Sequence, residues 1–278
     1  MVTHVDLRPS DARTLRTYHA DSGGSDVIVW CHGTPNLGEP PAPLFAAAAA
    51  LGLRWVSYDR PGYGGSTPTP GRDIASAAED IARVADAAGA ERFAVMGHSG
   101  GGPHALAAAA LLPDRVTGVV CGAGLAPFDA AGLDWFAGMA PAGAAELRAA
   151  QRGREALREK LAASKFDPEQ FTPSDHAALE GDWDWLNHVA GHGLDSGLDG
   201  MIDDDVAYVS PWGFDVAAIA APVILLHGDA DRIVPVGHAE WLAERLPSGH
   251  RMILPGEGHI SVLSGATAAL DRLAALTR

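Results

Sequence analysis

The sequence predicts an α/β fold: a mostly parallel sheet covered by helices on both faces, with a helical insertion late in the chain. Three observations carry this reading. Short apolar runs at 26–31, 54–58, 92–96, 115–121, 222–226 and 250–254 have the make-up of strands buried on both sides, with no polar face to spare. Segments with helical spacing separate most of them, as crossovers between parallel strands require. From about Pro127 to Phe214 that rhythm lapses into helical patterning without a clear buried strand.

Taken in order, residues 4–20 alternate loosely and stop before the turn formers Asp21-Ser22-Gly23-Gly24-Ser25, which predicts an antiparallel opening pair of strands. The run 26–31 ends in His32-Gly33-Thr34-Pro35. An Ala-rich helix over Leu44–Leu53 follows, then strand 54–58, then the loop Asp59-Arg60-Pro61-Gly62-Tyr63-Gly64-Gly65-Ser66. Ile74, Ala77, Ala78, Ile81, Val84 and Ala88 mark a helix within 73–90. Strand 92–96 leads into a helix over 101–112, and strand 115–121 comes next. The insertion is expected to hold helices over Ala142–Ala163 and Ser174–Ala190 and the acidic stretch Asp195–Asp205. Strand 222–226, a helix near 236–246, strand 250–254 and a helix from about 262 complete the chain.

Composition excludes some classes of partner. Hydrophobic residues make up 47% and charged residues 20% of the 278, ordinary for a soluble domain. The formal charge of −15 argues against nucleic acid or an anionic membrane, both of which require a basic surface. Residues 1–8 lack the apolar core of a secretion signal, and the run 44–53 is too short to span a bilayer. Cys31 and Cys121 lie in apolar strands and read as small buried hydrophobes rather than a disulfide, which fits a reducing cytoplasm.

The chemistry gathers around Gly97-His98-Ser99-Gly100-Gly101, a G-x-S-x-G turn with a strand before it and a helix after it. Serine on such a turn is presented to substrate beside a helix N-terminus, whose dipole favours developing negative charge. A hydroxyl needs a base to be nucleophilic, and the base needs a carboxylate to orient it. His259 follows the strand 250–254 and a glycine-bearing loop, and it is assigned general base and acid. For the carboxylate, Asp231 after strand 222–226 is chosen, Asp229 is the runner-up and Asp129 a third candidate. The oxyanion of an acyl transfer would be held by the amides of Gly100 and Thr34, with Gly33 letting the carbonyl approach.

These segments, His32–Pro35, Asp59–Ser66, Gly97–Gly101, and Gly228-Asp229-Ala230-Asp231 with Gly258-His259, stand in an order and spacing that resemble the α/β-hydrolase superfamily, in the subgroup with a helical cap. The resemblance implies an eight-stranded, mostly parallel sheet, a Ser99–Asp231–His259 triad and a reaction without a cofactor. It divides the chain into a core of residues 1–126 and 215–278 and a cap of 127–214. Haloalkane dehalogenases and the related epoxide hydrolases place aspartate where Ser99 stands, which argues against both. The proline iminopeptidase oxyanion loop, richer in glycine, is a poor match to His32–Asn36.

The expected activity is hydrolysis of a carboxylic ester or related acyl bond in a small, apolar substrate. Alternatives are the same site used for C–C hydrolysis, lyase, perhydrolase or acyltransferase chemistry, or a non-catalytic binding protein of this fold. No metal site is expected, since no His/Asp/Glu spacing matches one. His98 and His104 are read as packing beside the elbow, with substrate contact an option for His98. Trp135, Trp183, Trp185 and Trp212 either line the pocket or form the insertion's own core. Asp182, Asp184 and Asp203–Asp205 are expected on a solvated face.

Overall fold

The computed structural model describes residues 2–8, 13–20, 23–165 and 167–277; Asp21 and Ser22 of the expected first turn lie outside them. Eight strands form one sheet: β1 Val2–Leu7, β2 Leu15–Ala20, β3 Asp26–Cys31, β4 Leu53–Tyr58, β5 Phe93–His98, β6 Val116–Gly122, β7 Val223–Gly228 and β8 Gly249–Leu254. Their spatial order is β1-β2-β4-β3-β5-β6-β7-β8. β2 pairs antiparallel with β1 and with β4, and the strands from β4 through β3 to β8 pair parallel with one another.

The apolar runs become buried strands because each face of the sheet has its own helices. Val29, Val56, Val95 and Val119 point to one side, where α2 (Ala77–Ala87), α3 (Gly101–Leu111) and α9 (Gly237–Arg245) cover them. Ile28, Trp30, Met96 and Val120 point to the other, under α1 (Phe45–Ala50) and α10 (Ala266–Thr277). Burying one such side chain stabilises the fold by roughly 1.5–3 kcal/mol, so a strand with every residue buried is held from both sides. Cys31 and Cys121 are free thiols in this core, as expected, and burial pushes each up to about 12.

Between β6 and β7 the chain is helical: α4 Pro141–Ala150, α5 Arg154–Ala163, α6 Pro173–Glu180, α7 Trp185–Gly191 and α8 Asp199–Tyr208. Two expected long helices are each broken in two. Gly153, at φ 102°, turns the chain between α4 and α5, and Gly181 ends α6. The helix expected from 262 opens as a 3₁₀ turn, Ser261–Gly265. α4, α5 and α8 share a small core of Ala149, Ala150, Leu157 and Ile202, while α6 packs on the 3₁₀ turn after His259. The helical segment also touches the sheet domain elsewhere, as where the Leu37 N–H donates to the Val189 carbonyl and the Ala140 N–H to the Arg232 carbonyl. Among the described residues no helix is long and apolar enough to cross a membrane.

The acidic stretch differs from expectation. Asp182 and Asp184 are exposed as anticipated, but Asp203, Asp204 and Asp205 are all buried. They lie on α8, which faces the sheet domain and meets basic side chains there.

Candidate active site

All candidate groups stand at the carboxyl ends of parallel strands, the edge at which open α/β sheets form sites. β5 ends at His98, and Ser99 follows in the left-handed region at φ 55°. Its N–H donates to the Gly122 carbonyl at 2.8 Å, and its carbonyl accepts from the Gly102 N–H at 2.9 Å, so the turn is fixed from both sides. A Cβ at Gly97 would collide with the Gly101 backbone, which is why α3 can begin so close to its strand. Ser99 itself is half-buried among buried neighbours.

Asp231 and His259 are brought together directly. The His259 Nδ1 lies 2.8 Å from Asp231 Oδ2, and both residues are buried. Asp231 Oδ1 accepts from the N–H groups of Ile233 and Val234 at 2.8 and 3.0 Å, which locks its carboxylate in the loop after β7. Burial disfavours charge on both groups, but their attraction outweighs it: His259 is raised above its ordinary value and Asp231 is lowered. The rival aspartates are elsewhere: Asp229 accepts from the Gly256 N–H at 2.7 Å and pins the turn, and Asp129 is exposed.

The loop after β3 faces the elbow. A Cβ at Gly33 would stand 3.5 Å from the Ser99 Cβ. Arg60, from the Asp59–Ser66 loop, clamps this segment by donating to the carbonyls of His32 and Gly33 and to Thr34 Oγ1. Asp204 on α8 balances it: its Oδ2 accepts from Arg60 Nη2 at 2.7 Å, Tyr63 Oη at 2.7 Å and Thr34 Oγ1 at 2.8 Å. Arg72 Nη1 meets the other oxygen at 2.6 Å. Burial opposes this charge, and the two guanidiniums still hold the Asp204 carboxyl well below the usual range. Tyr208, the last residue of α8, completes the cluster with its hydroxyl 2.7 Å from Thr34 Oγ1.

A model of the α/β-hydrolase fold matches residues 26–266, spanning all of these groups. The chain belongs to the α/β-hydrolase fold family. Relatives of this α/β hydrolase include a Synechocystis protein with the provisional name non-heme chloroperoxidase, 25% identical over 92% of both chains. A Caulobacter protein provisionally named a carbamate hydrolase is 28% identical over 87% of this chain and 88% of its own. Among solved structures, an esterase of Thermogutta terrifontis superposes with a TM-score of 0.70 at 20% identity, covering 99% of this chain and 100% of that one.

Two further residues of this α/β hydrolase hold the His259 loop. The His98 Nε2 donates to the His259 carbonyl at 2.9 Å, with the two rings 5.0 Å apart. Burial drives His98 down to about 3, so it is a neutral support for this loop through its Nε2. Asp175 on α6 was not anticipated. Its Oδ1 accepts from the N–H groups of Ile260 and Ser261 at 2.7 and 2.9 Å, while its Oδ2 takes the Thr172 N–H at 2.9 Å in a capping box. One buried carboxylate therefore caps its own helix and grips the chain just past His259. Burial works against its charge, and these hydrogen bonds lower it below the ordinary value.

The four tryptophans are divided between the cores on the two faces of the sheet. Trp135 is packed against Phe128, Phe136 and His238 and donates to the Ala126 carbonyl, and Trp212 donates to the Tyr208 carbonyl. Trp183 and Trp185 belong to the core on the opposite face, where Trp185 meets Trp30 edge-on. Because the helical segment splits its contacts between the two faces, these rings serve two separate cores. His104 is buried with its Nδ1 2.8 Å from the Gly100 carbonyl, as a packing residue would be. Among the described residues no group of three or more His, Cys, Asp or Glu side chains could hold a metal ion.

Asp175, Asp204 and Tyr208 escaped the sequence reading because each lies in a helix whose local pattern carries no sign of what it faces. The one available signal was Arg60: a guanidinium in a Gly-rich turn requires a buried acid if it is itself buried.

Proposed function

We propose that this protein hydrolyses a carboxylic ester or a related acyl bond of a small molecule through an acyl-serine intermediate. The observation that carries the reading is the buried Asp231–His259 hydrogen bond, at the same sheet edge as a serine held in the left-handed region. Ser99 Oγ attacks the carbonyl carbon, and its proton passes to His259 Nε2 while the carbonyl electron pair moves onto oxygen. The amides of Thr34 and Gly100 hold that oxyanion, each contributing roughly 3 kcal/mol. Collapse expels the alcohol, which takes the proton from His259. Water then repeats the sequence, losing its proton to His259, and the acid leaves as Ser99 regains a proton. Asp231 keeps the imidazole in the working tautomer and stabilises the imidazolium.

Residues 127–214 form the cap over this edge in the same reading. A second reading, in which hydrogen peroxide replaces water as the acceptor, is favoured by the name of the Synechocystis relative. The test is the burst of chromophore from a short p-nitrophenyl ester, followed by product analysis with water, peroxide and alcohols competing. The burst is expected to vanish in Ser99→Ala, and wild-type turnover in that variant would refute the assignment.

A further inference from the structure

The residue after Ser99 is a glycine, and the space its side chain would fill is already taken. A Cβ on Gly100 would overlap the Tyr208 hydroxyl and stand 2.8 Å from Thr34 Oγ1. The same hydroxyl is 2.7 Å from Thr34 Oγ1. One phenol from α8 therefore touches both residues whose amides face the oxyanion in the reading above, on which this inference rests.

A count of protons shows that this phenol has a donor to give. Thr34 Oγ1 receives a hydrogen bond from Arg60 Nη2 at 3.0 Å and owns a single proton, which it directs to Asp204 Oδ2 at 2.8 Å or to Tyr208. If the Thr34 proton turns to the phenol, Asp204 keeps Arg60, Arg72 and Tyr63 as partners. The Tyr208 O–H is then free to point away from Thr34. Burial holds the Tyr208 phenol far above its ordinary range, so it keeps this proton throughout the working pH of a hydrolase.

We propose that Tyr208 is a third oxyanion donor, its O–H turning from Thr34 onto the oxygen that gains charge beside the Gly100 amide. Thr34 then serves on both sides, its amide as a donor and its hydroxyl, turned from Asp204, as the donor to the Tyr208 oxygen.

The experiment needs no knowledge of the natural substrate. A fluorophosphonate reacts with an activated serine by forming the Oγ–P bond as fluoride leaves, the serine proton passing to His259 and the P=O oxygen lying where the oxyanion would. The rate of Ser99 phosphonylation, read by intact mass, and kcat on a p-nitrophenyl ester are measured for wild type, Tyr208→Phe, Gly100→Ala and the double variant, with each fold checked by thermal melting. Tyr208→Phe is expected to lower both rates by about 10²-fold, with KM little changed. Gly100→Ala, whose methyl displaces the hydroxyl, is expected to be slow in the tyrosine background and to add little in the phenylalanine one. Rates for Tyr208→Phe within about threefold of wild type, or fully additive losses in the double variant, overturn the inference. If wild-type Ser99 is not labelled at all, the acyl-serine reading fails and takes this inference with it. Labelling of wild type and Tyr208→Phe at one rate sinks the Tyr208 role alone.

Discussion

Ser99 adopts φ 55°, a conformation that costs a residue with a side chain about 1–3 kcal/mol and persists only where its surroundings impose it. Here they are the hydrogen bonds to Gly122 and Gly102. His259 is similarly over-determined, held by Asp231 on its ring, by His98 on its carbonyl, and by Asp175 on the next two amides. The sign of its shift fixes a pH profile. A general base works neutral, so activity falls as pH drops through a value raised above the ordinary ~6.5. The acid limb of kcat/KM is therefore expected above that value. Asp231→Asn should move the limb down and lower kcat by about 10⁴-fold. Asp175→Asn should also move it down, because a nearby negative charge is lost, with a smaller fall in kcat. An unmoved limb in Asp175→Asn would leave Asp175 a helix cap and nothing more. At this scale the positions of Ser99, Asp231 and His259 at one sheet edge were legible because each lies in the turn or loop after a strand that composition reveals. Tyr208, Asp204 and Asp175 were hidden, since the burial of a polar residue is decided by partners distant in the chain, 85 residues away for Asp175–Ile260 and 174 for Tyr208–Thr34.

Strands and helices were read with unequal success, for a physical reason. A strand buried on both faces needs only apolar residues, so β3, β5 and β7 announce themselves. The insertion helices are half-exposed and short, and their ends are set by Gly153 and Gly181 rather than by any change in periodicity. α8 is the element whose role differs most from its composition. Three consecutive aspartates suggest a wet face, yet Asp204 is fully buried between Arg60 and Arg72. Removing one partner of a buried ion pair leaves the others uncompensated and costs about 3–5 kcal/mol. Asp204→Ala should lose about that much in urea denaturation, measured as a lower midpoint at an unchanged slope. The sign with pH follows from its lowered value: the contribution is present above the unfolded carboxylate's ~3.9 and disappears as pH falls through the lower folded value. A loss below about 1 kcal/mol would mean that the cluster is not what fastens α8.

The molecule as a whole is a sheet with a core on each face, and the candidate site lies at the carboxyl ends of its parallel strands. Two buried carboxylates tie the helical segment to loops at that edge: Asp204 to the loop after β3, and Asp175 to the loop carrying His259. Through these two carboxylates the segment between β6 and β7 is coupled to the loops of the proposed machinery. The eight-stranded sheet was legible from the resemblance of four short motifs. The way the insertion is fastened was not, because no local pattern records a long-range carboxylate. Whether Ser99 is an activated nucleophile is measured by intact-mass analysis after incubation with a fluorophosphonate. A single adduct is expected, mapping to the peptide that carries Ser99 and absent in Ser99→Ala; no adduct, or one that survives that substitution, would refute the acyl-serine reading.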